Sequence, residues 1–320
     1  MMALVRHAVR NDLAELAAGD KIMVACSGGA DSVALAYAIV KEAPAKAISI
    51  AAITIDHGLQ PGSEDRANLT AHWLVQIGYE QVSVVKVEVG RAGGLEAAAR
   101  DARYAALESE ATRSGALAIY LGHSMNDQAE SVLLGLGRGS GPRSIAGMEK
   151  VTGRYHRPLL ALRRDQLRAA CTEVAAPIWD DPHNQDERFT RVKIRKLFPA
   201  LESALGSGLV EALARTADLV REDLTALDEL ASAYANRSGA EVAELVDLPT
   251  AIRRRALRSM ALNAGVQAGA LNYDHLTKMD ALIVAWKGQG GVFLPGELTF
   301  TRKSGRLSFS STRRVERESR

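Results

Sequence analysis

Within MVACSGGADSVAL, residues 23–35, the small residues Ser27, Gly28 and Gly29 stand between an apolar run and a helix-like segment that opens on Asp31-Ser32. Glycines let backbone N–H groups approach an anion, serine hydroxyls donate to its oxygens, and the positive end of the following helix adds to the attraction. Ser27, Gly28, Gly29, Ala30, Asp31 and Ser32 therefore form a candidate phosphate cradle. It lacks the Lys and the length of the G-x-x-x-x-G-K-[ST] loop that wraps a β-phosphate. It carries Asp31 instead, and a carboxylate among phosphates repels them unless Mg²⁺ stands between. The plainer role of Asp31 is to cap the helix.

Two further apolar runs end on residues able to do chemistry: Asp56-His57-Gly58 after AISIAAITID, and Gly122-His123-Ser124 after ALAIYLG. The second leads into Asn126-Asp127-Gln128-Ala129-Glu130, where Asp127 and Glu130 stand at i, i+3 on the opening turn of a helix. Acids there are favoured by the helix dipole in any protein, and a carboxylate pair is also what an ammonium ligand requires. Arg100 and Arg103 mark one side of LEAAARDARYAAL, although Glu96 and Arg100 also have the i, i+4 spacing of a solvated ion pair. Arg188, Arg191 and Arg195 are spaced i, i+3, i+7, as if to meet successive phosphates from one helix face. Arg253, Arg254, Arg255 and Arg258 form a second basic cluster.

These residues need a scaffold that brings them together. Four short apolar runs, KIMVAC, AISIAAITID, VSVVKVEV and ALAIYLG, alternate with helical patterns through the first 135 residues. Strands separated by helices predict an α/β fold with a parallel, doubly wound sheet, whose ligands bind beyond the C-terminal strand ends where strand order reverses. A long helical pattern over roughly 209–236 then leads to an Arg-rich helix, a further helix near NYDHLTKMDALIVAW and a hairpin turning at Lys303-Ser304-Gly305. The predicted organisation is a catalytic domain over 1–205, a helical linker over 206–237 and a small basic α+β domain over 238–320.

Composition narrows the partners. From Leu248 onward there are 13 Lys+Arg against 5 Asp+Glu, a net of +8, while residues 1–247 carry a net of −6. A basic end on a mildly acidic body suits a polyanion such as RNA. The two cysteines, Cys26 and Cys171, form no C-x-x-C, which speaks against disulfide frameworks, zinc ribbons and paired-thiol sulfur transfer. No apolar stretch approaches the roughly 20 residues of a membrane span, and the N-terminus reads as an amphipathic helix rather than a signal peptide. The expected setting is the cytoplasm, with no membrane partner.

The S-G-G-x-D-S loop after the first strand resembles that of the N-type ATP pyrophosphatases (PP-loop, adenine nucleotide α hydrolase-like), which adenylate a carbonyl-like oxygen and release pyrophosphate. Further motifs resemble the tRNA(Ile)-lysidine synthetase family: Ile55-Asp56-His57-Gly58-Leu59, Glu96 to Tyr104, Leu121-Gly122-His123 with Asp127 to Ser131, Arg138-Gly139-Ser140-Gly141, Arg157-Pro158-Leu159-Leu160, Asp181-Pro182 through Asn184, and Phe189 to Arg195. The resemblance implies ATP and Mg²⁺ as cofactors, and as partners free lysine and a tRNA(Ile) with a CAU anticodon, whose wobble cytidine becomes lysidine. It leaves monomer or homodimer open, and the second C-terminal domain of longer members is expected to be absent. It assigns Ser27, Gly28, Gly29, Ala30, Asp31, Ser32, Asp56, His57, Gly122 and His123 to ATP, and Asp31 to Mg²⁺. Asp31, Asp127, Glu130, Arg100 and Arg103 fall to catalysis, and the two arginine clusters to tRNA. The chain departs from the family at Asn126, where an acid is common, and at Val192, where Asn is usual. A tRNA thiolase, a non-catalytic nucleotide-binding protein and a small-molecule amidating enzyme are the alternatives; the cysteines, the retained acids and the basic end respectively speak against them.

Overall fold

The computed structural model describes residues 1–58, 62–88, 90, 94–139, 141–180, 186–235 and 240–312, without the side chains of Leu95 and Glu96. Leu59, Glu96 as a pairing side chain, Ser140, and Asp181-Pro182 through Asn184 lie outside the described residues. The chain divides into two compact units, Met1–Ala217 and Asp218–Arg320.

The first unit opens with α1 (Met2–Leu13), whose buried stripe of Met2, Val5, Val9 and Leu13 has the helical three- and four-residue spacing. There follow β1 (Lys21–Ala25), α2 (Ala30–Glu42), β2 (Ser49–Asp56), α3 (Ser63–Ile77), β3 (Gln81–Lys86), α4 (Leu95–Ser114), β4 (Ala118–Leu121) and α5 (Met125–Arg138). The four expected strands are present, and β1, β2 and β4 are almost wholly buried, as apolar runs covered on both faces must be. A short α6 (Pro142–Ile145) leads to two short strands not expected from the apolar pattern, β5 (Val151–Thr152) and β6 (Tyr155–His156). They extend the sheet to the order β3-β2-β1-β4-β6-β5, with β5 antiparallel to β6 and every other pair parallel. Order reverses between β1 and β4, so the ends of these two strands border the switch-point crevice. Then come α7 (Arg164–Glu173), α8 (Thr190–Leu205) and α9 (Leu209–Ala235), and the division between the units falls within α9.

One core packs α1, α2, α7 and one face of the sheet around Leu35, Ile39, Leu74 and Tyr120; another packs α4 against the opposite face through Leu107 and Ala111. Glu42, at the end of α2, is only 6% exposed and accepts hydrogen bonds from Arg6 Nε (2.6 Å) and Arg10 Nε (2.7 Å) of α1. The hydrogen bond from Arg10, with that from Arg6 and the charge of both, outweighs burial and holds its carboxyl below the usual range. A depressed carboxylate pKa contributes stability that is fully present above the unfolded value of about 4.3 and is lost as pH falls through the folded value. Glu42→Gln should therefore lower unfolding stability at pH 7 by about 2 kcal/mol. The gap should narrow as pH falls below about 4.3 in urea melts; a gap independent of pH throughout the acid range would exclude the charge as its cause.

The second unit adds α10 (Val242–Leu245), α11 (Thr250–Asn263), α12 (Tyr273–Val284) and an antiparallel sheet of β7 (Val292–Leu294), β8 (Leu298–Lys303) and β9 (Arg306–Ser311) in sequence order. Ser304 (φ 49°) and Gly305 (φ 75°) make the β8–β9 turn, the left-handed pair that suits the twist of a two-residue hairpin. Its core joins the last turns of α9 to α11, α12 and the sheet around Leu257, Met279 and Phe300. Among the described residues no single helix is long and apolar enough to cross a membrane; the bent pair α8–α9 passes only when taken together.

Candidate active site

The loop from Ser27 to Gly29 leaves β1 and enters α2 with Gly29 as its N-cap. Ser32 Oγ turns back to accept the Ser27 N–H at 3.1 Å and donates to the Gly29 carbonyl at 2.9 Å, which closes the loop on itself. Gly28 has φ +84°, and a Cβ there would meet Thr70 Oγ1 of α3 at 2.8 Å. Both facts require glycine. The first N–H groups of α2 have no partners within the helix and are available to an anion.

Beside the loop lies a cleft of about 150 Å³, lined by Ser27, Ile53 to Gly58 at the end of β2, Ser63, Arg66 and Ala67 of α3, Arg103 of α4, and Trp179. Asp56 is buried and accepts the Gly58 N–H at 2.8 Å. Burial pushes its carboxyl up, but hydrogen bonds from Ser63 and Gly58 and the charge of Lys86 hold it below the usual range. It fixes the turn that presents His57 to the cleft. Trp179 donates its backbone N–H to the Gly28 carbonyl at 2.9 Å, and the Arg66 guanidinium lies over its ring, 2.9 Å from the centroid. Neither residue was selected from the sequence, though a solitary Trp before Asp180-Asp181 was a signal for one. Arg103 reaches the cleft, with burial pulling its pKa below the arginine norm, whereas exposed Arg100 lies over the ring of Tyr104 at 4.9 Å.

On the β4 side, Gly122 stands so close to the start of α2 that a Cβ would meet backbone atoms of Asp31 and Ser32 at 2.9 Å. The chain then forms a capping box at α5: Ser124 N–H and Oγ both donate to Asp127 Oδ2, at 2.8 and 2.7 Å. Asp127 thus has the capping role open to it, and its other oxygen faces a cation. Arg164 Nη2 donates to Asp127 Oδ1 at 2.8 Å, Nη1 to Glu130 Oε1 at 3.2 Å and Nε to Asp31 Oδ2 at 3.4 Å. One guanidinium therefore joins the three acids proposed from the sequence.

Arg164 was missed, and its signal was electrostatic: Arg163-Arg164 sit at the start of a helix, where the dipole disfavours cations. Its backbone N–H donates to Asn126 Oδ1 at 2.9 Å, which gives the Asn126 departure a local role in holding α7 to α5.

Charge is distributed unevenly over these groups. Burial and the nearby Asp127 charge push the Asp31 carboxyl up to about 6, against the pull of Arg164 and Arg195. Its Oδ1 is buried with no hydrogen-bond partner among the described residues. Asp127 is held below the usual range: burial opposes ionisation, and Arg164, His123 and the Ser124 donors overcome it. Burial lowers His123, and Arg103, Arg157 and Arg191 add to the effect, so its imidazole is neutral at pH 7.

Two expectations about arginines are corrected. Arg188 precedes α8 and donates to Asp186, so it does not share a helix face with the other two. Arg195 and Arg191 instead turn inward: Arg195 Nε donates to Glu130 Oε1 at 3.0 Å, and Arg191 Nη1 lies 3.9 Å from Glu130 Oε2. In α11, Arg253 is only 6% exposed; it donates to Asp280 Oδ1 at 2.5 Å and to the Leu248 carbonyl at 2.6 Å. It is an internal strut and cannot meet a phosphate. Arg254 pairs with Asp280 at 3.0 Å beside the ring of Tyr273, Arg255 with Asp228 at 3.1 Å, and Arg258 is half-buried.

Comparison with known proteins places this geometry. Residues 4–201 match a PP-loop domain family and residues 241–308 a TilS substrate binding domain. The chain is 52% identical over 295 residues to the tRNA(Ile)-lysidine synthase of Streptomyces coelicolor, covering 89% of this chain and 84% of that protein. It is 48% identical over 316 residues to the tRNA(Ile)-lysidine synthase of Thermobifida fusca, covering 97% of this chain and 98% of that protein. Among solved structures, the U34-tRNA thiolase NcsA of Methanococcus maripaludis, described with its [4Fe-4S] cluster, is similar in fold. Its TM-score is 0.58 at 16% identity, covering 69% of this chain and 80% of that one.

Proposed function

This chain belongs to the tRNA(Ile)-lysidine synthase family, and we propose on that premise how its residues divide the reaction. The enzyme joins lysine to C2 of the wobble cytidine of tRNA(Ile) with a CAU anticodon, using ATP, and gives lysidine, AMP and pyrophosphate. Decoding thereby changes from AUG to AUA. The C2 carbonyl is inert until its oxygen becomes a leaving group, which adenylation achieves; the lysine amine then attacks C2 and AMP departs.

Ser27, Gly28, Gly29, Ala30 and Ser32 receive the ATP phosphates through N–H and hydroxyl donors, where charge develops as pyrophosphate separates. Asp56 and His57 line the cleft that takes the nucleotide, beside the Arg66–Trp179 stack, and Gly122 and His123 border it from the β4 side, where Gly122 abuts the start of α2. Asp31 fits a Mg²⁺ ligand because its buried Oδ1 has no protein partner. Among the described residues no cluster of three or more metal-binding side chains exists, so the ion would share Asp31 with phosphate oxygens, as Mg²⁺ commonly does. Bound there, it neutralises phosphate charge.

Asp127 and Glu130 receive the lysine ammonium. The neutral His123, whose proton affinity burial has lowered, is a poor acceptor for the amine proton. Arg100 and Arg103 lie on the side of α4 from which a nucleotide or the anticodon is approached, and residues 238–320 carry the basic tRNA-binding surface.

The observation that carries this reading is the convergence of loop and acids at the β1/β4 edge, with Gly122 against the Asp31 backbone and Arg164 tying Asp31 to Asp127 and Glu130. A thiolase reading is disfavoured because Cys26 and Cys171, 2% and 0% exposed, are packed in the core. The direct test is incubation with ATP, Mg²⁺, radiolabelled lysine and a CAU tRNA(Ile) transcript. Absence of label in the tRNA, with folded and ATP-binding protein, would overturn the reading.

The second unit supports a separate prediction. Arg258→Ala should weaken tRNA binding and reduce the slope of log K against log [salt] by about 1, the signature of one lost phosphate contact. Arg253→Ala should instead lower the melting temperature of the unit, because it leaves the buried Asp280 carboxylate with Arg254 as its one remaining guanidinium partner and Oδ1 without its donor. Equal salt slopes for wild type and Arg258→Ala would remove Arg258 from the RNA surface.

A further inference from the structure

Three carboxylates and three guanidiniums meet beside the phosphate loop, and the charges cancel. Glu130, 1% exposed, lies 3.2 Å from Arg164, 3.0 Å from Arg195 and 3.9 Å from Arg191. Asp127 lies 2.8 Å from Arg164, and Asp31 3.4 Å from it. A cation arriving at these acids does not find free carboxylates. It finds a site already filled by positive charge, and Arg164 occupies its centre, with Nε, Nη1 and Nη2 each directed to a different acid.

We propose that Arg164 is a stand-in for the substrate ammonium: lysine binds by displacing this guanidinium from Asp127 and Glu130, and the displaced side chain turns to the phosphates held by the adjacent loop. The inference rests on the assignment of Asp127 and Glu130 to lysine given above. Arg164 is suited to this exchange by its attachment. Its backbone is fixed at the first position of α7 by the bond to Asn126 Oδ1, while its side chain is 28% exposed. Arg195 and Arg191 approach Glu130 from α8 and leave Asp127 alone, so neither can substitute for it at the shared position. The arrangement prevents two costly states: buried acids without a counter-ion before lysine arrives, and a surplus of positive charge once it has arrived. It also couples the two small substrates, because a guanidinium released by lysine gains a partner when ATP phosphates are present.

Arg164→Met removes the competing cation. Titration calorimetry of lysine into the full chain, without ATP or metal, should give a dissociation constant about fivefold lower than wild type, equivalent to about 1 kcal/mol. Arg164→Lys, which keeps a cation, should return the constant toward wild type. A non-hydrolysable ATP analogue should tighten lysine binding to wild type and leave Arg164→Met unchanged. A merely structural arginine would give the opposite sign, since its loss would loosen the acids and weaken lysine binding. Unchanged or weaker binding in folded Arg164→Met would overturn the proposal.

Should Arg164→Met fail to fold, the Arg164 Nε–H resonance of wild type, assigned by its loss in Arg164→Lys, must still shift on lysine saturation. A static signal would equally overturn it. Asp127→Asn and Glu130→Gln separate this inference from the reading beneath it: if both bind lysine as wild type does, the acids are not the lysine site, and it is that assignment which fails.

Discussion

Asp31→Asn is expected to slow tRNA-dependent pyrophosphate release by about 10³-fold, to leave tRNA affinity nearly unchanged, and to make the metal-free protein more stable. Asn keeps the size of the side chain and a cap-competent oxygen, so the start of α2 survives. What it loses is the charge required to hold Mg²⁺ against the phosphates. The gain in stability follows from the raised carboxyl. A pKa of about 6 in the folded state, caused first by burial and then by Asp127, exceeds the unfolded value. The folded protein therefore binds more protons than the unfolded chain between about pH 4 and 6, and stability falls as pH rises through that window. At pH 7 the ionised Asp31 costs on the order of 3 kcal/mol, which the amide avoids. Melting curves in EDTA should show Asp31→Asn above wild type at pH 7 and equal to it near pH 4. A variant no more stable at pH 7, or one that loses tRNA binding together with pyrophosphate release, would make Asp31 a structural residue.

The parts of the fold and the site that were legible from sequence are those governed by short-range rules. Near-continuous apolar runs marked β1, β2 and β4 because strands covered on both faces have no polar side to reveal. The phosphate loop was readable because glycine and hydroxyl chemistry is local. β5 and β6, two residues each, are too short to carry any period. The arginines of α8 show a different limit. Helical spacing tells which residues share a face but not what the face meets, and half-buried Arg191 and Arg195 reach Glu130.

The burial of Arg253 was legible, although the residue was assigned with its neighbours to tRNA. Ile252, Ala256, Leu257, Met260 and Ala261 form the buried stripe of α11, and Arg253 lies on that stripe by the same spacing. An arginine among core positions must find an acid, and it finds Asp280. Arg164 could not be placed in the same way, because its partners are contributed by α2 and α5, over 30 residues earlier in the chain, and only the folded sheet assembles them.

That assembly is what Gly122→Ala tests. The substitution adds one methyl group, yet it is expected to lower the rate of lysidine formation about 10²-fold and to destabilise the first unit by about 2 kcal/mol. The new Cβ would stand 2.9 Å from the carbonyl carbon and oxygen of Asp31 and from the Cα of Ser32. All three are backbone atoms, so no rotamer change relieves the contact. The end of β4 must move from the start of α2, and the movement separates the loop that receives phosphates from the capping box that orients Asp127. A displacement of a few tenths of an ångström at each is enough to misalign groups that act on the same substrate.

Gly137→Ala is the control, since Gly137 lies within α5 with open space where its Cβ would stand. It should retain full activity and gain a few tenths of a kcal/mol to about 1 kcal/mol from helix propensity. Pyrophosphate exchange, the KM for ATP and urea melts measured on both variants separate the two effects. If Gly122→Ala turns over as wild type does, the close approach of β4 to α2 is not what aligns the nucleotide loop with the acids. The Arg164 bridge would then have to supply that alignment alone.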